Sequence, residues 1–179
     1  MEAVLLSPRR ARALVLVDAA LGLQSPISSG DSTVQSLLRI RWISEALSAA
    51  FLTNPAFTKP LLRAFISEKE RATDDLVSLY RRPLNLEHTY QGVAAWLPEL
   101  VAGRRSAASD DPAAFAALKI PVTLIWGETD TITPLSQAIY LKQLVPGSVL
   151  LVIRRAGHIP QIEEPEDFRV ALTRALSER

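Results

Sequence analysis

The chain contains no cysteine. That excludes disulfides, a thiol nucleophile and thiolate metal ligands within it, and it suits the cytoplasmic location expected here. Histidine is almost as scarce, with only His88 and His158. His88, in "LNLEHTYQG", has no partner at ligand spacing, so no metal site is expected. Charge of one sign is also lacking: the formal net charge is +1. This gives no basic surplus for a nucleic acid or an anionic membrane, and the cluster "SPRRAR", Ser7 to Arg12, reads as a solvated turn. "RRARALVLVDAALGL" imitates a signal peptide, but Asp18 interrupts its apolar part and the run is too short to span a bilayer. Neither a Gly-rich phosphate loop nor a dinucleotide fingerprint is present.

Hydrophobic residues make up 48% of the chain and charged ones 22%, which suits a folded domain with a real core, or such a core with an insertion. Three short continuous apolar runs stand out: "ALVLV" (Ala13 to Val17), "VTLIW" (Val122 to Trp126) and "VLLVI" (Val149 to Ile153). Each reads as a strand buried on both faces, as in parallel sheets. Between the second and third, "PLSQAIYLKQLVP" has helical spacing at Leu135, Ala138, Ile139, Leu141 and Leu144, with Pro134 at its start. Strand, helix, strand with short joints is a βαβ unit. The final helix, opened by Pro165 and acids and closed by basic residues, carries a stripe of Phe168, Leu172 and Leu176.

The middle has no convincing strand. "STVQSLLRIRWISEALSAAFL" predicts one helix capped by Ser32. "NPAFTKPLLRAFIS" predicts a helix that Pro60 kinks or breaks. "TDDLVSLYRR" and "LEHTYQGVAAWLPELVAG" predict two more, the latter crossed by Pro98, and "RRSAASDDP" a polar linker. Trp42, Trp96 and Trp126 are expected to pack, with Trp42 or Trp96 also open to lining a cleft.

Asp130, in "LIWGETDTITP", stands just past the end of the second strand, and His158, in "RRAGHIPQIEEPEDF", just past the third. Open α/β sheets place ligand crevices at that edge. An Asp and a His on neighbouring strand ends can form a hydrogen-bonded pair in which the carboxylate orients an imidazole acting as general base. Taken alone, an Asp after a strand is more often a turn or cap residue and a lone His more often structural; as a pair at neighbouring strand ends the two readings balance. Glu128 is a stand-in acid if Asp130 faces away, and Glu163 also lies near the pair in sequence.

These two segments resemble the α/β-hydrolase fold family. Its W-G-x-x-D-x-x-x-P segment carries a triad acid at the position of Asp130, and its G-H-x-P-x-x-E-x-P-E-x-F segment a triad base at that of His158. "RARALVLVDAA" looks like the family's sixth strand, leading into a helical lid. The resemblance implies a partial α/β-hydrolase fold: three parallel strands, the sixth to eighth of the family, with flanking helices. Residues 1–23 would be the end of the nucleophile helix and the first remaining strand, 24–118 the lid, and 119–179 the core bearing acid and base. It implies hydrolysis of a small apolar ester, or a related C–X or C–C bond, without cofactor or metal.

The family's nucleophile elbow, G-x-S-x-G, is absent. The nearest match, "GDSTV" (Gly30 to Val34), lacks the second Gly and a preceding strand, and Ser7 is no nucleophile either. The register of the resemblance leads us to expect a truncated hydrolase whose elbow and oxyanion hole would lie before Met1. Two alternatives stand beside it: a non-catalytic binding or assembly fragment, and a chain complemented by a separate front half. Both would pair through the strand Ala13 to Val17, a free apolar edge.

Overall fold

The computed structural model describes residues 1–20, 32–101, 109 and 111–177. They fall into two compact units: Met1–Ser25, Phe65–Lys69 and Ser106–Arg179 in the first, Pro26–Ala64 and Glu70–Arg105 in the second.

The first unit is built on β1 (Leu14–Val17), β2 (Val122–Gly127) and β3 (Val149–Ile153). They form one parallel sheet in the order β1-β2-β3. Every residue of the central strand β2 is buried, as a continuous apolar run requires. Alternation sends Leu124 and Trp126 to one face, where they pack with Leu14, Leu16, Phe115, Ala138 and Leu141. Ile125 goes to the other, beside Ile153, Ala171 and Ala175. Helices thus cover both faces, the three-layer arrangement that a parallel sheet needs. Helix α1 (Glu2–Leu6) precedes β1.

Two helices follow the predicted spacing only in part. In α8 (Leu135–Leu144), which links β2 to β3, Ala138 and Leu141 are buried but Ile139 is 48% exposed. In α10 (Pro165–Ser177) the buried residues are Ala171 and Ala175, with Phe168 and Leu172 at the margin and Leu176 43% exposed. Two alanines at a spacing of four give a smooth strip that approaches the sheet closely, and the larger side chains splay to either side. Between them in the chain, α9 (Pro160–Glu163) follows His158 directly.

The second unit holds α2 (Ser32–Leu38), α3 (Arg41–Thr53), most of α4 (Pro55–Phe65), α5 (Asp74–Arg81) and α6 (Thr89–Val101). Its main packing is α3 against α6. The single helix expected from Ser32 is two, separated where Ile40 adopts an extended conformation (φ −77°, ψ 108°). Of the kink or break expected at Pro60, the break does not occur: α4 continues through it. Pro60 is exposed, so the carbonyl it leaves unbonded can turn to water. Pro98 likewise lies inside α6. Thr73 caps α5, its hydroxyl accepting the N–H of Leu76. Trp42 and Trp96 do not pack as expected; they are 70% and 58% exposed, whereas Trp126 is fully buried. A short helix within the first unit, α7 (Pro112–Ala116), is capped by Asp111 and was not foreseen. Most of the expected linker before it, and the Gly30–Asp31 part of "GDSTV", lie outside the described residues.

Candidate active site

Three loops leave the sheet at its carboxyl edge: from β1 at Asp18, from β2 at Glu128 to Thr133, and from β3 at Arg154 to His158. A glycine lets the last two meet. A Cβ on Gly127 would stand 2.0 Å from the carbonyl oxygen of Gly157 and 2.6 Å from that of Ala156. The loops are laced by backbone bonds, Glu128 N–H to Ile153 O and Thr129 N–H to Ala156 O, both at 2.9 Å. Arg155 turns the β3 loop through a left-handed conformation (φ 59°).

This brings Asp130 and His158 together. His158 Nδ1 lies 2.9 Å from Asp130 Oδ2. The Asp130 side chain is fully buried and that of His158 is 19% exposed. Asp130 Oδ1 accepts the backbone N–H groups of Ile132 (2.7 Å) and Thr133 (3.0 Å), and Oδ2 also accepts the Thr133 hydroxyl at 2.6 Å. Burial alone would raise the Asp130 pKa. The bonds from Thr133, His158 and Ile132 outweigh it and hold the carboxyl below its usual range, ionised at neutral pH. A carboxylate at Nδ1 selects the tautomer with its proton there, which leaves Nε2 as the proton-accepting nitrogen. The arrangement can therefore hold an imidazole as general base and stabilise the imidazolium that forms.

Further residues complete the surroundings. His158 donates its backbone N–H to Phe65 O at 2.8 Å. The Phe65 ring stacks on the imidazole at 5.4 Å between centroids, 27° between planes. Glu163 is buried; its Oε1 accepts the Gly157 N–H at 2.7 Å and its Oε2 the Ser67 N–H at 2.6 Å. Asp18 is buried in a left-handed conformation (φ 38°), its Oδ1 bonded to the Gly127 N–H and its Oδ2 buried without a hydrogen bond. Burial, against the pull of the Gly127 bond and with the like charge of Asp130 added, pushes its pKa up to about 8.

Glu128 does not join the pair: it is exposed and accepts the Arg155 N–H at 3.1 Å. His88 stands in the second unit, exposed, 3.2 Å from Glu87. Among the described residues no group of three or more His, Asp or Glu is arranged to hold a metal ion, and no helix is long and apolar enough to cross a membrane.

Sequence reasoning passed over Thr133, Phe65 and the structural part of Asp18. Asp18 had a readable signal, since like Asp130 it ends an apolar strand. Phe65 had none: nothing local marks the end of a helix in the middle segment as the neighbour of His158.

The model of the Alpha/beta hydrolase family matches residues 2–171. A 2-hydroxymuconate semialdehyde hydrolase of Pseudomonas putida is 27% identical over 172 residues, covering 96% of this chain and 56% of that protein. An uncharacterized hydrolase, YugF, of Bacillus subtilis (strain 168) is 26% identical over 116 residues, covering 65% of this chain and 40% of its own. The chain thus spans about half the length of the curated relatives it matches. Among solved structures, a meta-cleavage product hydrolase from Pseudomonas fluorescens IP01 superposes with a TM-score of 0.74 at 21% identity, covering 98% of this chain and 59% of that one. A thermophilic esterase from Thermogutta terrifontis superposes with a TM-score of 0.63 at 23% identity, covering 93% and 56%. At such identities the superpositions speak for the fold, and together with the family match over nearly the whole sequence they establish that the chain belongs to the alpha/beta hydrolase family.

Proposed function

We propose that His158 and Asp130 are the base and acid of a nucleophile–His–acid triad. The observation that carries this reading is the 2.9 Å contact between His158 Nδ1 and a buried, ionised Asp130. A nucleophile would attack the substrate carbonyl and pass its proton to His158 Nε2. The imidazolium, stabilised by Asp130, would return that proton to the leaving group, and a water activated by the same nitrogen would complete hydrolysis. The substrate class is a small apolar ester or a related C–C or C–X bond. The likeness to a 2-hydroxymuconate semialdehyde hydrolase and to an esterase supports that choice. The helical second unit would act as the lid that selects the substrate. Because this sequence has no G-x-S-x-G, we assign the nucleophile and the oxyanion hole to residues outside these 179, and the 179-residue chain alone is read as inactive.

The test is hydrolysis of a short-chain nitrophenyl ester by the full translated product, including whatever is encoded in frame before Met1. His158→Ala is expected to lower turnover by about 10⁴- to 10⁶-fold. Undiminished turnover would remove His158 from the mechanism. Turnover by the 179-residue chain alone, abolished by the same substitution, would mean that it supplies its own nucleophile.

A second reading rests on β1, which among the described residues pairs only with β2. Its outer edge can accept a further strand, from a complementing front half or a second copy. If it does, Val15→Pro should abolish the association seen in sedimentation and leave the chain soluble. Unchanged association would exclude this edge.

A further inference from the structure

We propose that Glu163 is a positioning residue for His158, acting by clamping the imidazole's own loop to the segment Phe65–Lys69. The proposal rests on the reading of His158 as the base.

The Asp130 contact fixes His158 at one atom, Nδ1. A ring held at one atom can still swing about that hydrogen bond, carrying Nε2 away from a substrate. The second restraint comes from Phe65, whose carbonyl accepts the His158 backbone N–H and whose ring lies along the imidazole face. Phe65 belongs to a segment that leaves the helical second unit and returns to it, yet belongs to the first unit. Something must hold that segment in register with the His158 loop, which is far from it in the chain.

Glu163 makes that connection with both carboxylate oxygens. Oε1 takes the N–H of Gly157, the residue before His158, and Oε2 takes the N–H of Ser67, two residues after Phe65. A carboxylate is rigid and planar, so two short bonds from its oxygens set the relative position of the two backbones. The approach is close enough that a Cβ on Gly157 would meet Phe65 O at 2.8 Å, Glu163 Oε1 at 2.9 Å and Ser67 N at 2.9 Å. The Thr129 hydroxyl adds a third tie, 2.9 Å from both Ser67 Oγ and Ala156 O. Glu163 thus touches no reacting atom; it sets the partner that sets the ring.

The experiment is NMR on the ¹⁵N-labelled 179-residue chain, reading the low-field Nδ1–H resonance of His158 and the exchange rates of the Gly157 and Ser67 amides. Glu163→Gln preserves shape but sets an NH₂ donor against one of the two N–H donors. It is expected to speed exchange of that amide by about tenfold or more, and to broaden the His158 resonance through faster exchange with water. Faster amide exchange with an unchanged His158 resonance would overturn the proposal, leaving Glu163 a purely structural residue. Asp130→Asn separates the two claims: if the resonance survives there, the His158–Asp130 reading fails, whatever Glu163 does. If Glu163→Gln does not fold, Phe65→Leu takes its place. It keeps the backbone acceptor and the Glu163 bonds and removes only the ring, so it is read with Glu163→Asp, whose shorter carboxylate cannot span both N–H groups; an unbroadened resonance in Glu163→Asp overturns the proposal equally.

Discussion

Asp18 Oδ1 accepts the backbone N–H of Gly127 at 2.8 Å, which ties the end of β1 to the end of β2 directly behind Asp130. The carboxyl that makes this tie is buried, and its pKa is raised from 3.8 to about 8. It therefore binds its proton more tightly folded than unfolded. The stability this contributes is full below about pH 4 and is lost as pH rises through 8. Thermal unfolding of the wild type should fall to lower temperature between about pH 4 and about pH 8. Asp18→Asn, which keeps the acceptor for Gly127 and cannot ionise, should flatten that slope. Parallel curves for the two proteins would assign the pH dependence to another group.

Thr133 is the side chain on which the Asp130 site converges. Its hydroxyl lies 2.6 Å from Asp130 Oδ2, 3.2 Å from the Asp18 carbonyl and 3.2 Å from His158 Nδ1. Thr133→Val keeps the shape and removes the donor to a buried carboxylate. We expect a loss of about 1–3 kcal/mol in urea unfolding at neutral pH. The Asp130 pKa is lowered in part by this bond. The stability it contributes is present above the unfolded value and lost as pH falls through the folded one. In Thr133→Val, where the folded pKa is lowered less, that acid loss should be smaller and complete at higher pH. A variant as stable as wild type would mean that water replaces the hydroxyl.

Trp126 is fully buried, and its indole N–H donates to the Thr133 carbonyl at 2.7 Å. Trp126→Phe keeps an aromatic ring in the core and leaves that carbonyl without its donor. The expected cost is about 1–3 kcal/mol in the same unfolding assay. Fluorescence supplies a second readout, because Trp42 and Trp96 are exposed and Trp126 is not. The blue-shifted part of the emission should vanish in the variant. If it persists, Trp126 is not the buried emitter.

The three strands were legible because strands buried on both faces are written as local apolar runs, and "ALVLV", "VTLIW" and "VLLVI" stand at or within a residue of β1, β2 and β3. Asp130 and His158 were legible as residues just past strand ends, because the chemistry of a sheet's carboxyl edge depends on position along the chain. Helix faces were read less well. Spacing found Ala138 and Leu141 but also pointed to Ile139 and Leu176, which are exposed, whereas in the last helix contact with the sheet selected Ala171 and Ala175. Periodicity counts apolar residues, but close packing also selects small ones. The tryptophans show the converse, since apolarity alone does not say which of Trp42, Trp96 and Trp126 finds a core.

The sequence by itself determined the family, the sheet and the pair of residues at its edge, because each is encoded in short stretches of chain. The tertiary structure alone decided what surrounds that pair. Asp18 and Phe65 reach it from distant segments, and Ser67 and Glu163, 96 residues apart in sequence, bond beside it. No local pattern specifies such a contact. It follows from how the chain returns on itself, and from the need of every buried polar group to find a partner when it does.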